Sequence, residues 1–281
     1  MRFSKMHGLG NDFVVVDDVA RAIPEASLPE ISRKLNDRHF GVGGDGLILI
    51  RPSVENDFQM RMFNPDGTEA EMCGNGIRCF AVYIAEHGLS AKNPLRADTG
   101  AGTLILNMEK EGDRVVSVRV DMGAPRNDKT EVPMQGAGPA INVPLCLEGR
   151  EFLVNGVSMG NPHAVIFLDT LEGFPVEQFG PLVERNPLFP EKANVHFVEQ
   201  VGANELKMRI WERGAGLTLA CGTGACASTV AAVLTGRTGR DVKVNLPGGQ
   251  LRIEWDEATN HVFMTGPAVE VFAGETDPEF L

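Results

Sequence analysis

No stretch of the 281-residue chain approaches the roughly 18–20 consecutive apolar residues that a membrane-crossing helix needs. The first residues, Met1–Asn11, contain no apolar leader core. Basic residues are outnumbered, 26 Lys and Arg against 38 Asp and Glu, for a net charge of -12. That balance argues against nucleic acid and anionic membranes as partners, although a local site can still hold a small anion. Cysteine is scarce too. Five residues, an odd number without scaffold-like spacing, do not suggest a secreted disulfide framework. These absences make a cytoplasmic location the expectation. Cys73 and Cys79 are six apart, Cys221 and Cys226 five apart, and neither pair has a histidine close in sequence, so no metal is expected. Nothing matches a phosphate loop, a dinucleotide fingerprint or a serine nucleophile elbow, and no cofactor is expected.

What the chain does have is an internal repeat. Met60–Gly76 (MRMFNPDGTEAEMCGNG) aligns without a gap on Met208–Gly224 (MRIWERGAGLTLACGTG), 148 residues later. Cys73 meets Cys221, and the glycines beside them coincide. Gly88 and Gly236 continue the same offset. Upstream, GNDFVVVD at Gly10–Asp17 resembles GNPHAVIFLD at Gly160–Asp169, its Gly-Asn pairs 150 apart. A duplicated fold follows. Its halves are expected at 1–121, with the tail 268–281 returning to it, and at 122–267. Met122–Pro144, rich in Gly and Pro, is the expected linker.

Short β-branched runs predict strands at Phe13–Val16, Leu47–Ile50, Phe58–Phe63, Thr103–Asn107, Val115–Asp121, Ala164–Leu168, His196–Val198, Leu206–Trp211, Val242–Leu246, Leu251–Trp255 and Val262–Thr265. Ile77, Phe80, Ala81 and Ile84 follow helical spacing within Gly76–His87. The equivalent Gly224–Thr235 is small or apolar almost throughout and predicts a helix buried on all sides. The expected class is α+β: two pseudo-symmetric domains, each a mostly antiparallel sheet or barrel wrapped around one central helix. Gly88 and Gly236 suit left-handed helix ends.

Each repeated cysteine stands just before its helix. The glycines that follow are expected to permit unusual backbone angles and close ligand approach. Unpaired N–H groups of a first helical turn, with about half a positive charge from the macrodipole, attract a carboxylate. The same field favours thiolate, lowering a cysteine pKa from about 8.5 to roughly 3.5–7.5. Two such cysteines suit stereoinversion: one base removes Hα, and a second acid supplies H to the opposite face. Cys79, Cys146 and Cys226 read as buried packing.

At these residues the chain resembles the diaminopimelate epimerase family. The resemblance rests on KMHGLGNDFVVVD (Lys5–Asp17), NPDGTEAEMCGNGIRC (Asn64–Cys79), MGNPHAV (Met159–Val165), ERGAG (Glu212–Gly216) and ACGTGACA (Ala220–Ala227). It implies a cofactor-independent epimerase interconverting LL- and meso-2,6-diaminopimelate in lysine and peptidoglycan precursor biosynthesis. Cys73 and Cys221 then resemble its acid–base pair, and His163 and Glu212 the polar pair that helps set thiol protonation and holds the α-amino group. Gly74, Asn75, Gly222 and Thr223 resemble the carboxylate cradle. Asn11, Asn64, Asn161, Asn194, Glu212 and Arg213 resemble further substrate ligands, Arg213 facing the distal carboxylate.

Bland readings stand beside these. Asn64 in NPDG reads as a turn residue, His163 as a structural histidine, Glu212–Arg213 as a solvated loop pair, and Asn11 and Asn161 as strand-end caps. Two positions depart from the family pattern. Gly46 stands where some members carry Gln, and Phe272 where some carry a Tyr of the homodimer contact. A homodimer and an amino-acid substrate are the implied partners. The alternatives are a proline or hydroxyproline racemase-like enzyme, which shares the two-cysteine plan, a thiol redox protein, which no Cys-x-x-Cys favours, and a non-enzymatic amino-acid-binding protein.

Overall fold

A computed structural model describes residues 1–277 and Phe280. The chain divides into two compact units, Met1–Val120 together with the chain from Thr265 onward, and Asp121–Met264.

The first unit opens with β1 (Arg2–Gly8) and β2 (Asn11–Asp17), an antiparallel hairpin. Leu9 and Gly10 close it with φ of 57° and 85°, the left-handed pair that a two-residue hairpin turn requires. A crossover carrying α1 (Leu28–Asn36) leads to β3 (Gly46–Pro52), which runs parallel to β2. Then come β4 (Phe58–Phe63), β5 (Glu69–Ala70), α2 (Gly74–Glu86), β6 (Leu95–Thr99), β7 (Gly102–Glu111) and β8 (Arg114–Asp121). Strand β3 is buried on both faces because helices cover both. Val14, Val16, Leu47 and Leu49 pack with Leu28, Ile31 and Leu35 of α1. Ile48 points the other way, against the start of α2.

The second unit contains β9 (Val143–Leu147), β10 (Arg150–Ser158), β11 (Pro162–Leu168), α3 (Val176–Glu184), β12 (Asn194–Gly202), β13 (Glu205–Glu212), β14 (Gly216–Thr218), α4 (Gly222–Leu234), β15 (Asp241–Leu246), β16 (Gly249–Trp255) and β17 (Val262–Gly266), whose last residues pass the boundary. Ile166, Val195 and Phe197 pack with Phe179 and Val183 of α3. Helix α4 lies against β10, β11, β12, β15 and β16. A final strand, β18 (Val269–Glu275), pairs antiparallel with β1 in the first unit.

The repeat in sequence is a repeat in register. Helices α1 and α3 begin 148 residues apart, as do α2 and α4. Strands β2 and β3 pair Phe13 with Gly46; β11 and β12 pair His163 with Asn194, both in parallel. Leu47 stands opposite Phe63, and Val195 opposite Trp211. Phe63 opposes Glu69, and Trp211 opposes Leu217. Gly88 and Gly236 end the long helices at φ of 70° and 71°. Each unit is thus a mostly antiparallel sheet of the α+β class around a buried central helix.

Several local expectations differ from the structure. Every predicted strand forms, but β1, β5, β6, β9, β10, β14 and β18 were not anticipated. Helices α1 and α3 are additional to the single helix expected per half. α1 covers one face of its sheet, and its charges (Glu30, Arg33, Lys34) mask a short apolar stripe; α3 carries an internal Pro181. The Gly- and Pro-rich stretch expected as a linker is no loose tether, because Val132, Met134 and Ala140 are buried in the core of the second unit. Cys146 is exposed on β9, not packed inside. Gly76 and Gly224 are not at positive φ; what they supply is the missing Cβ.

Candidate active site: two unequal half-sites

Cys73 and Cys221 are the N-cap residues of α2 and α4. Their backbones nearly coincide, with φ/ψ of -138°/124° and -136°/106°. Each carbonyl accepts the first helical hydrogen bond, from Ile77 N at 2.9 Å and from Ala225 N at 3.0 Å. No acidic residue sits in either first turn, so nothing cancels the positive end of the helix dipole.

Around Cys73 the side chains are amides. Asn11 Nδ2 donates to Asp45 Oδ2 at 2.7 Å, which fixes the orientation of the amide. Its Oδ1 is left to accept from Asn75 Nδ2 at 3.1 Å and from the Cys73 thiol at 3.6 Å. A thiol that donates to a carbonyl is favoured in its protonated form. Asp45 is itself held by Arg38 at 2.8 Å. Neighbouring Asp12, despite its burial, is pulled down to a pKa of about 2 by Arg38 and Lys5. On the far side of Asn75, the wholly buried Arg78 donates to Asn75 Oδ1 at 3.0 Å and to the Gly74 carbonyl at 2.8 Å. Asn11, Cys73, Gly74 and Asn75 are therefore brought together. Asn64 sits in the turn after β4, with its Nδ2 on Thr68 Oγ1 at 3.0 Å, so its turn role is real. Gly46 has no room for a longer side chain without movement: a Cβ there would lie 3.0 Å from the Phe63 carbonyl and 3.1 Å from Met62 Cε.

Around Cys221 the side chains are imidazoles. His163 bonds Asn161 Oδ1 through Nε2 at 2.9 Å and His196 Nε2 through Nδ1 at 2.8 Å. One nitrogen of each ring and the Cys221 sulfur lie within 4.8 Å of one another, all buried. Thr223 Oγ1 is 3.7 Å from that sulfur. Burial holds both imidazoles neutral. His163 is well below the usual histidine range, by burial and then by repulsion from His196 and Arg213; burial alone brings His196 to about 3. Asn194 Nδ2 donates to the Pro162 carbonyl, and its Oδ1 accepts from Arg213 N at 3.0 Å, so β11 and the loop after β13 meet at this residue. Glu212 accepts from Thr218 Oγ1 at 2.6 Å, and the exposed Arg213 guanidinium donates to the Glu191 carbonyl at 3.0 Å. Asn161, His163, Cys221 and Thr223 form one cluster, and Asn194 and Arg213 a second joined to it through Pro162 and His163.

Two imidazoles and a thiol are a donor set that zinc accepts. Here, however, both nitrogens of His163 are committed, one to Asn161 and one to His196, and a metal ion would have to break a buried hydrogen bond to bind. Cys79 contrasts with these two: burial pushes its thiol up to about 12, which leaves it inert.

His196 was missed by the sequence reading, which placed it in a strand only. A signal existed: it is 148 residues after Ile48, in the middle of an otherwise apolar run, VHFV.

The family model described as diaminopimelate epimerase matches residues 3–127 and 156–271. The chain belongs to the diaminopimelate epimerase family. A relative from Moorella thermoacetica named diaminopimelate epimerase is 52% identical over 98% of this chain and 99% of its own length. One of the same name from Desulfitobacterium hafniense is 54% identical over 98% and 97%. Among solved structures, a Bacillus anthracis phenazine biosynthesis protein of the PhzF family superposes with a TM-score of 0.72 at 18% identity, covering 98% of each chain. A hydroxyproline epimerase from Agrobacterium vitis does so at 0.68 and 16%, covering 100% of this chain and 93% of its own. At such identities the likeness is one of fold.

Proposed function

We infer that the chain is a cofactor-independent epimerase interconverting LL- and meso-2,6-diaminopimelate by two-base cysteine chemistry. One observation carries the reading: in a member of this family, two cysteines occupy the same N-cap position of two equivalent buried helices. One thiolate removes the α-proton, and the other thiol gives a proton to the opposite face. Charge that develops on the substrate carboxylate is stabilised by helix N–H groups at Gly74–Asn75 and Gly222–Thr223. His163 and Glu212 set protonation and hold the α-amino group. Asn11, Asn64, Asn161, Asn194 and Arg213 are the remaining ligands, Arg213 toward the distal carboxylate. The two epimerase halves are 1–121 with the tail 268–281, and 122–267; residues 278, 279 and 281 of that tail lie outside the described residues.

The enzyme works in the cytoplasm, in lysine and peptidoglycan precursor biosynthesis. It pairs as a homodimer through β18, where Val269, Val271 and Phe272 are exposed and Phe272 meets Phe3 edge-on at 6.2 Å. The test is LL-diaminopimelate in D2O without added cofactor. The expected product is the meso form with solvent deuterium at the inverted centre, and Cys73→Ala and Cys221→Ala each abolish it. Turnover of proline in place of diaminopimelate would transfer the chain to the racemase reading. Activity present only under oxidant would indicate a thiol redox protein.

A further inference from the structure

The two half-sites differ most at one spot. Position 196 is occupied by histidine in β12, and its register equivalent in β3 is Ile48. Position 163 is histidine in β11, and its equivalent in β2 is Phe13. Two apolar side chains in one unit are two hydrogen-bonded imidazoles in the other. The small residue behind them is retained in both. A Cβ on Gly224 would lie 2.2 Å from His196 Cε1, and one on Gly76 would lie 3.0 Å from Ile48 Cδ1. The His196 ring therefore rests directly on the first turn of α4, the turn that Cys221 caps.

The hydrogen bonds assign the protons. The carbonyl oxygen of Asn161 only accepts, so His163 carries its hydrogen on Nε2. His163 Nδ1 is then a bare lone pair, and the hydrogen in its bond to His196 belongs to His196 Nε2. His196 Nδ1 is left as a lone pair, buried and without a hydrogen-bond partner. The chain runs in one direction, from His196 to His163 to Asn161, and both rings are uncharged.

We propose that His196 is a positioning residue: by donating Nε2–H to His163 Nδ1 it locks the His163 tautomer and so governs the thiol–thiolate balance of Cys221 without touching that of Cys73. This rests on the reading of Cys221 as an acid–base residue and adds a residue to it. The charged and titratable groups acting on the pair are Cys221 at the head of α4 and Arg213 beyond β13. The Cys73 half-site has no equivalent relay and relies on Asn11, Asn75 and Asp45. Without His196, the second half-site loses a polar N–H in the cluster around the sulfur, and His163 loses the donor that fixes it. Both losses make a buried thiolate harder to form.

The test measures iodoacetamide alkylation of each cysteine against pH, resolved by peptide mass spectrometry, in the wild type, His196→Ile and His196→Gln. Isoleucine is the residue this backbone already accepts at position 48, and glutamine keeps a side-chain N–H donor. The expected result is an upward shift of the Cys221 profile by about one pH unit in His196→Ile, about tenfold slower alkylation at neutral pH, with most of it recovered in His196→Gln. The profiles of Cys73 and of exposed Cys146 stay in place. An unmoved Cys221 profile, an equal shift at Cys73, or a glutamine variant no better than isoleucine each overturns the proposal. Long-range 1H–15N spectra of the unmutated protein supply a check that needs no variant. Hydrogen on Nε2 of both His163 and His196 supports the proposal, and hydrogen on His163 Nδ1 overturns it. None of these readouts depends on turnover, so they can fail while deuterium incorporation succeeds, or the reverse.

Discussion

Placing a single methyl group at Gly76 and at Gly224 gives the sharpest contrast the duplicated fold offers. Both glycines are the third residue of a buried helix, and neither needs a positive φ. Alanine is better than glycine inside a helix by about 1 kcal/mol, so backbone terms favour both replacements. The space differs. At position 76 the methyl meets Ile48 Cδ1 at 3.0 Å and Cys73 Cβ at 3.4 Å. The end of an isoleucine moves a few tenths of an ångström at little cost, and Gly76→Ala should come out near neutral. At position 224 the methyl meets Cε1, Nε2 and Nδ1 of His196 at 2.2, 2.6 and 2.9 Å. A rigid ring cannot yield at one atom, and its Nε2 is tied to His163. The ring must leave, adding about 1–3 kcal/mol of overpacking and about 1–3 kcal/mol for a broken buried hydrogen bond. Net of the helix gain, Gly224→Ala should destabilise by about 1–5 kcal/mol. At about 2–4 °C per kcal/mol for a unit of this size, that is a Tm lower by about 2–20 °C. Scanning calorimetry of the two variants, with epimerisation rates taken on the same samples, makes the comparison. Equal losses, or a greater loss at Gly76, would refute the argument from His196.

Three further outcomes are expected. His163 and His196 are neutral when folded but take up protons near pH 6.5 when unfolded, so stability is full above pH 6.5 and falls as pH drops toward about 3, the folded value of His196. From pH 7 to pH 5 the loss is about 2 kcal/mol per histidine; urea titrations at both pH values should show it, with a smaller pH dependence in His196→Ile. Asp18→Ala takes from Arg51, whose side chain is 2% exposed, its buried carboxylate partner at 2.8 Å and leaves it the exposed Glu25 and the Ile23 carbonyl; a loss of about 3 kcal/mol is expected in thermal unfolding, and a change under 1 kcal/mol would contradict the burial. Asn11→Ala removes the acceptor of the Cys73 thiol and the partner of Asn75, so kcat should fall by about 10–100-fold, about 1.4–2.7 kcal/mol, with Tm nearly unchanged; an unaltered kcat would separate Asn11 from the chemistry.

Much of the fold was legible because the chain states its core twice. Met60–Gly76 and Met208–Gly224 share spacing and therefore share strand register and helix start, and the helix-end glycines at 88 and 236 are where a left-handed residue is needed. β1 was not, since RFSKMHG mixes charged and small residues with Phe3 and Met6 and shows no β-branched run, although four of its seven residues are buried. Nor were α1 and α3, each nine residues long and set by packing on a sheet more than by their own propensity. Within the half-sites, Cys73, Asn11 and Asn75 were named from their motifs, and so were Cys221, Asn161 and His163. His196 escaped because a histidine in a strand has no motif of its own; its role comes from a neighbour 33 residues away. The glycines after each cysteine were assigned to unusual backbone angles and close ligand approach, whereas Gly76 and Gly224 make room for Ile48 and His196, which is visible only once the facing side chain is known.

The shared register also makes the molecule its own comparison panel. Wherever β3 and β12, or β2 and β11, coincide, one backbone environment has been furnished in two ways: Ile48 and His196, Phe13 and His163. Each pair is a substitution already known to fold in that setting. Transplanting residues between equivalent positions therefore asks a chemical question with the structural one largely answered in advance. Histidines installed at 13 and 48 would show how much of an imidazole half-site a sheet built for hydrocarbon will tolerate.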